Sequence, residues 1–112
     1  MQAVLANTIR IIKNNFQSKR LPKEAIPYLL KAAENADKKT RDDIENQLVN
    51  MGETVIEELA AALENTTGST RALVAMVLIR FGNPSLQPLN SLYKGKREFE
   101  WIINYIQNEI EG

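Results

Sequence analysis

Cysteine and histidine are both missing from this chain of 112 residues. Without cysteine there is no disulfide, no thiolate zinc site and no thiol nucleophile. Without histidine the commonest general base, the commonest metal ligand and the usual pH switch of the physiological range are gone. Most enzyme and metalloprotein classes fall on that ground, and the expectation is a non-enzymatic chain with no catalytic residues, no cofactor and no metal. An excess of one charge is missing too: 14 Lys and Arg balance 14 Asp and Glu. Zero net charge weighs against a duplex-binding protein, whose affinity comes largely from clustered cations on phosphates. No apolar run approaches the roughly 18 residues of a membrane span, and the stretch from Met1 to Phe16 lacks a signal-peptide layout. A cytoplasmic protein without membrane contact is expected, its length fitting one domain over 1–112.

The chain does contain a repeat. Setting 23–52 over 53–82 without a gap pairs identical residues at Ile26/Ile56, Leu29/Leu59, Ala32/Ala62, Glu34/Glu64, Asn35/Asn65, Thr40/Thr70, Arg41/Arg71, Leu48/Leu78 and Gly52/Gly82. Random composition would supply about two such pairs. Ala33/Leu63, Ile44/Val74 and Met51/Phe81 change size while staying apolar, as repacking core positions do.

Each unit reads as two helices. In the second, Thr54 and Glu57 have capping-box spacing ahead of Ile56, Leu59, Ala62 and Leu63; Thr67 or Ser69 then caps a helix through Leu73, Val74, Val77, Leu78 and Phe81, and Gly82 stops it. The first unit follows the same scheme, with a helix over 25–35, an Asp37 cap, a helix over 40–51 and Gly52. A third unit over 83–112 opens at Asn83-Pro84, but a direct thirty-residue copy would bury Asn104 and Asn108. Removing one residue puts Phe99, Ile103, Ile106 and Ile110 in the core instead and restores an apolar stripe. An amphipathic helix over 2–16, through Leu5, Ile9, Ile12 and Phe16, precedes the units. The fold class that follows is all-α: a short right-handed α-solenoid of about three helical-hairpin repeats with an extra N-terminal capping helix.

The run Ala25-Ile26-Pro27-Tyr28-Leu29-Leu30, then Asn35 to Arg41, Ile44, Gln47-Leu48 and Met51-Gly52, resembles the HEAT repeat. The second unit matches through Leu59, Asn65, Thr70-Arg71, Val74, Leu78 and Phe81-Gly82, with Glu57 where the family has its proline. The short period is similar to the compact HEAT-like variant of phycobilisome-lyase-type proteins. The resemblance implies a scaffold for protein partners, and it implies that Arg41 and Arg71 join Asn35 and Asn65 in a ladder between repeats.

Second-helix positions left over by the core differ between units. In the first they are Asp42, Asp43, Glu45, Asn46, Val49 and Asn50; in the second, Ala72, Leu73, Ala75, Met76, Ile79 and Arg80 make the helix apolar nearly all round. The shifted third unit puts Trp101, Ile102 and Tyr105 there. Such a helix is either enclosed, with Trp101 and Ile102 as a lid over Met76 and Ile79, or it presents a contact face. The contact reading gives a concave groove floored by Leu73, Met76, Ile79, Trp101 and Tyr105 and edged by Asp42, Glu45, Asn46 and Arg80, suited to a protein or peptide segment carrying one or two basic residues. Self-association through the same face is the next reading. The alternatives from other classes are a nucleic-acid-associated HEAT-like protein, for which the basic stretches Lys13 to Arg20 and Lys94 to Arg97 are short, and an accessory subunit that positions an enzyme's substrate.

Overall fold

Glycine fixes where the second and third hairpins begin. In the computed structural model, which describes residues 21–112, Gly52 and Gly82 have φ of 88° and 79° with ψ of 177° and −144°. That region is essentially open to glycine alone, and from it the chain enters a short 3-10 turn. The turns Glu53–Val55 and Asn83–Ser85 match an earlier one at Lys23–Ala25. They run directly into helices α1 (Ile26–Ala33), α3 (Ile56–Asn65) and α5 (Leu86–Tyr93), whose starts are thirty residues apart. Each is followed by a longer helix: α2 (Lys38–Asn50), α4 (Gly68–Phe81) and α6 (Glu100–Glu111), the last entered through a 3-10 turn at Arg97–Phe99. The described residues form these six α-helices and no strand, and no helix among them is long and apolar enough to cross a membrane. The helix expected over 2–16 and the basic stretch up to Arg20 lie outside the described residues.

Capping follows the sequence in one place and departs from it in another. Asp37 is the N-cap of α2, its Oδ1 accepting the Thr40 N–H at 2.8 Å. That bond, with help from the Thr40 hydroxyl and the charges of Arg41 and Lys39, holds the Asp37 carboxyl below the usual carboxylate range. Thr54 forms no capping box with Glu57; it sits inside the 3-10 turn, which makes no side-chain cap bond. Gly52 already sets the direction of entry there, so no hydroxyl is needed. Thr67 takes the N-cap position of α4 without a side-chain bond, while Thr66 Oγ1 donates to the Ala62 carbonyl at 2.8 Å and closes the end of α3.

The core runs through all the described hairpins. Leu29, Ile44, Leu48, Leu59, Leu63, Val74, Leu78 and Ile106 have no exposed surface. Within hairpins α1 packs on α2, α3 on α4 and α5 on α6; between them α3 meets α5, and α4 meets α2 on one side and α6 on the other. With partners on three sides α4 buries Leu73, Val74, Ala75, Val77 and Leu78, which explains why its sequence is apolar almost all round. In α6 the one-residue shift is what the packing uses: Phe99, Ile103 and Ile106 are buried, Ile110 is partly buried, and Asn104 and Asn108 are exposed. At the positions where α3 and α4 bury Ala60, Ala75 and Leu78, the last hairpin carries Asn90, Asn104 and Gln107, so its outward side is polar.

Two polar side chains tie the second and third hairpins together from within. Tyr93 on α5, 5% exposed, donates its hydroxyl to the Ala60 carbonyl of α3 at 2.6 Å, and burial pushes that hydroxyl above the usual tyrosine range. Ser85, fully buried, donates to the Leu78 carbonyl at 2.7 Å. The expected ladder between arginines and turn asparagines is not formed. Arg41 Nη1 instead donates to the Ala36 carbonyl of its own turn at 2.9 Å, and the Arg71 guanidinium lies 5.4 Å from the centre of the Phe99 ring. Asparagine offers these cations no charge, so a carbonyl dipole and an aromatic face take its place. Phe99 in turn packs on Tyr93, ring centres 4.9 Å apart, so Arg71 belongs to the joint between α4, α5 and α6.

Candidate functional site

Helix periodicity decides which second-helix residues reach the surface. On α6, Trp101 and Tyr105 are one turn apart, on the side away from buried Ile103, Ile106 and Phe99; they are 64% and 47% exposed. Met76, at the position of α4 that corresponds to Tyr105, is 41% exposed. Since α4 and α6 pack directly, these three form one surface strip of two rings and a thioether. Ile79 beside them is partly buried against the core.

Leu73 does not belong to this surface. It is only 5% exposed and is part of the core, because the packing of α4 between α2 and α6 covers that side of the helix. Placing Leu73 on a groove floor is therefore corrected. The lid reading fails on its other half: Ile102 is buried at 3% while Trp101 points to solvent. Neighbouring residues of one helix face different ways, so the two could not serve as one lid.

The polar edge is more nearly neutral than its composition implies. Arg80 Nη1 donates to Glu45 Oε2 and to Asn46 Oδ1, both at 2.9 Å, and so joins α4 to α2. Asp42 accepts from Lys38 Nζ at 2.8 Å within α2, and that carboxylate raises the lysine above its ordinary range. Of the edge residues, Arg80, Glu45 and Asn46 are thus brought together, while Asp42 is engaged separately. A basic ligand would have to compete with Arg80 and Lys38 here, each of which already holds the acid it would seek.

Apolar surface also appears where the residue pattern carries no separate signal. Tyr28 on α1 and Leu92 on α5 are 66% and 40% exposed on the first-helix side. A groove of about 620 Å³ between α1 and α3 has Ile26, Pro27, Leu30, Ala61 and Ala62 along it, and Lys23 Nζ reaches Glu58 Oε1 across it at 3.3 Å. A second, of about 540 Å³, lies between α3 and α5 over Ala61, Pro88 and Leu92, with Glu57 and Glu58 on its wall. The small Ala61 side chain leaves α3 low between its neighbours. Tyr28 and Pro27 fell within the pattern that suggested a repeat, where apolar character reads as core.

Among the described residues no group of three or more acidic, histidine or cysteine side chains could hold a metal ion. What the second-helix strip offers is contact chemistry: flat rings, a soft thioether and hydrogen-bonding amides at Asn46, Asn104 and Asn108. Comparison with known protein families, with characterised proteins and with solved structures finds no match to this chain.

Proposed function

We propose that this chain is a short right-handed α-solenoid of HEAT-like repeats, with a capping helix at its N-terminal end, that acts in the cytoplasm as a non-catalytic scaffold or adaptor. Its partner, a protein segment or subunit, docks on the second-helix face. The observation that carries this reading is the strip of Met76, Trp101 and Tyr105, the large apolar side chains that this face exposes. Aromatic residues, Met and Arg are enriched at interfaces, and exposing them without a partner has a cost in solvation. The side-by-side packing of α2, α4 and α6 supports a repeat array, since such arrays place equivalent helices in one layer.

The test compares Met76→Asp and Trp101→Ala with Tyr28→Ala, which alters the first-helix side. All three are expected to keep the wild-type far-UV circular dichroism. Quantitative capture from native lysate should lose the same bound protein with the first two variants only. Equal capture by all three would remove the second-helix face from the function.

A further inference from the structure

The strip on α6 continues past its aromatic rings. Trp101, Tyr105 and Glu109 are four residues apart on α6, the spacing that lines side chains along one face of a helix, and Glu98 lies in the 3-10 turn three residues before Trp101; all four are exposed. Neither glutamate has a hydrogen bond or ion pair among the described residues. Arg80 corresponds to Glu109 on the neighbouring helix but is turned towards Glu45 and Asn46. Arg97, beside Glu98, is exposed and makes no ion pair. The strip is thus two rings with an unpaired carboxylate at each end and one cation at its margin. The chain as a whole is neutral, 14 Lys and Arg against 14 Asp and Glu, so the preference rests on the charges at the strip itself.

Size narrows the occupant. With Trp101 64%, Tyr105 47% and Met76 41% exposed, and aromatic side chains worth about 150–250 Å² each, the apolar strip offers roughly 300 Å². A standard interface takes about 800 Å² from each partner, of which about 450 Å² is apolar, so the strip alone falls short of what a second copy of the chain would need. A single amphipathic helix needs less, since its apolar face is a row of side chains at the same one-turn spacing as Trp101 and Tyr105.

We propose that this strip binds a cationic amphipathic helix, an inference that rests on the contact face proposed above. The apolar side of the ligand meets Met76 and the rings. Its Lys or Arg stems lie across Trp101 and Tyr105, where the ring faces attract the cation, and the charged heads reach Glu98 and Glu109. Arg97 weakens this attraction.

Trp101 is the only tryptophan of the chain and therefore reports on its own site. The experiment titrates the full chain with three synthetic 18-residue helices of one apolar pattern, whose polar positions are all Lys, all Gln or all Glu, following Trp101 emission. The Lys helix should bind at least tenfold more tightly than the Gln helix at 50 mM salt and less than threefold more tightly at 500 mM. In a Glu98→Gln, Glu109→Gln double variant the advantage should fall below threefold with the Gln helix unaffected, and Arg97→Gln should tighten the Lys helix. Equal binding of the Lys and Gln helices to the wild type overturns the charge preference but leaves the contact face standing. If none of the three moves Trp101, the helix-binding inference is overturned, while the lysate comparison of Trp101→Ala with Tyr28→Ala judges the contact face independently.

Discussion

Replacing Tyr93 by Phe removes one oxygen from the joint between α3 and α5 and nothing else. The ring, its packing on Phe99 and the depth of burial all remain, so the change isolates a hydroxyl that donates to the Ala60 carbonyl at 2.6 Å. Losing a buried hydrogen bond costs from about 0.5 kcal/mol to about 3 kcal/mol, the upper end applying when the abandoned partner has no other bond. Ala60 lies inside α3, where its carbonyl also accepts the Glu64 N–H, so it is not orphaned. The expected loss is therefore about 1 kcal/mol, or roughly 4–8 °C in Tm for a domain near this size. Urea unfolding followed by circular dichroism at pH 7 measures it. The alkaline limb supplies a second, independent readout. Burial raises the folded-state pKa of Tyr93 above its unfolded value of about 10, so its contribution is fully present below about pH 10 and is lost as pH rises through the folded pKa. The Phe variant lacks that loss. Lysines titrate in the same range but are common to both proteins, and the gap between wild type and variant should narrow above about pH 10. A variant as stable as the wild type, with the same alkaline limb, would show that the hydroxyl makes no bond and that this joint is purely apolar.

Three other perturbations test separate steps. Gly82→Ala should lower stability by about 1–3 kcal/mol although nothing lies within 4 Å of the added methyl, because the cost is backbone strain at φ 79°; an unchanged urea midpoint would refute this. Leu73→Asp should unfold the chain or cost more than about 3 kcal/mol, while Met76→Asp three residues along the same helix should stay within about 1 kcal/mol of wild type by thermal melting; similar losses for both would mean that Met76 is core. Asp37→Asn keeps an N-cap acceptor but not the charge. Since the folded-state pKa of Asp37 is depressed, its contribution is present above about pH 4 and lost as pH falls through the folded value, so the acid limb of the wild-type stability curve should flatten in the variant.

Which parts of the molecule could be read from residues alone depends on how local their causes are. The helices of each hairpin were legible because apolar spacing, Asp37 and the closing glycines act within a few residues of one another, and the displaced register of α6 was legible because only one placement keeps Asn104 and Asn108 out of the core. The 3-10 turns ahead of α1, α3, α5 and α6 were not, since a threonine at a capping distance looks the same whether or not the preceding glycine has already turned the chain. Burial on α4 was ambiguous for a different reason. An apolar face is needed equally for packing against α2 and α6 and for meeting a partner, and nothing within 68–81 says how far those neighbours extend. Leu73 and Met76 are both apolar and three residues apart, yet one lies in the core and the other reaches solvent. The same limit applies to the polar rim, where Arg80, Glu45 and Asn46 were placed on one edge by register while their mutual bonds depend on the distance between α2 and α4. Composition can therefore nominate a face, but its charge after internal pairing decides the ligand, and here two unpaired carboxylates, Glu98 in the turn before α6 and Glu109 on α6, flank the rings, whereas Asp42 and Glu45 on α2 are already engaged.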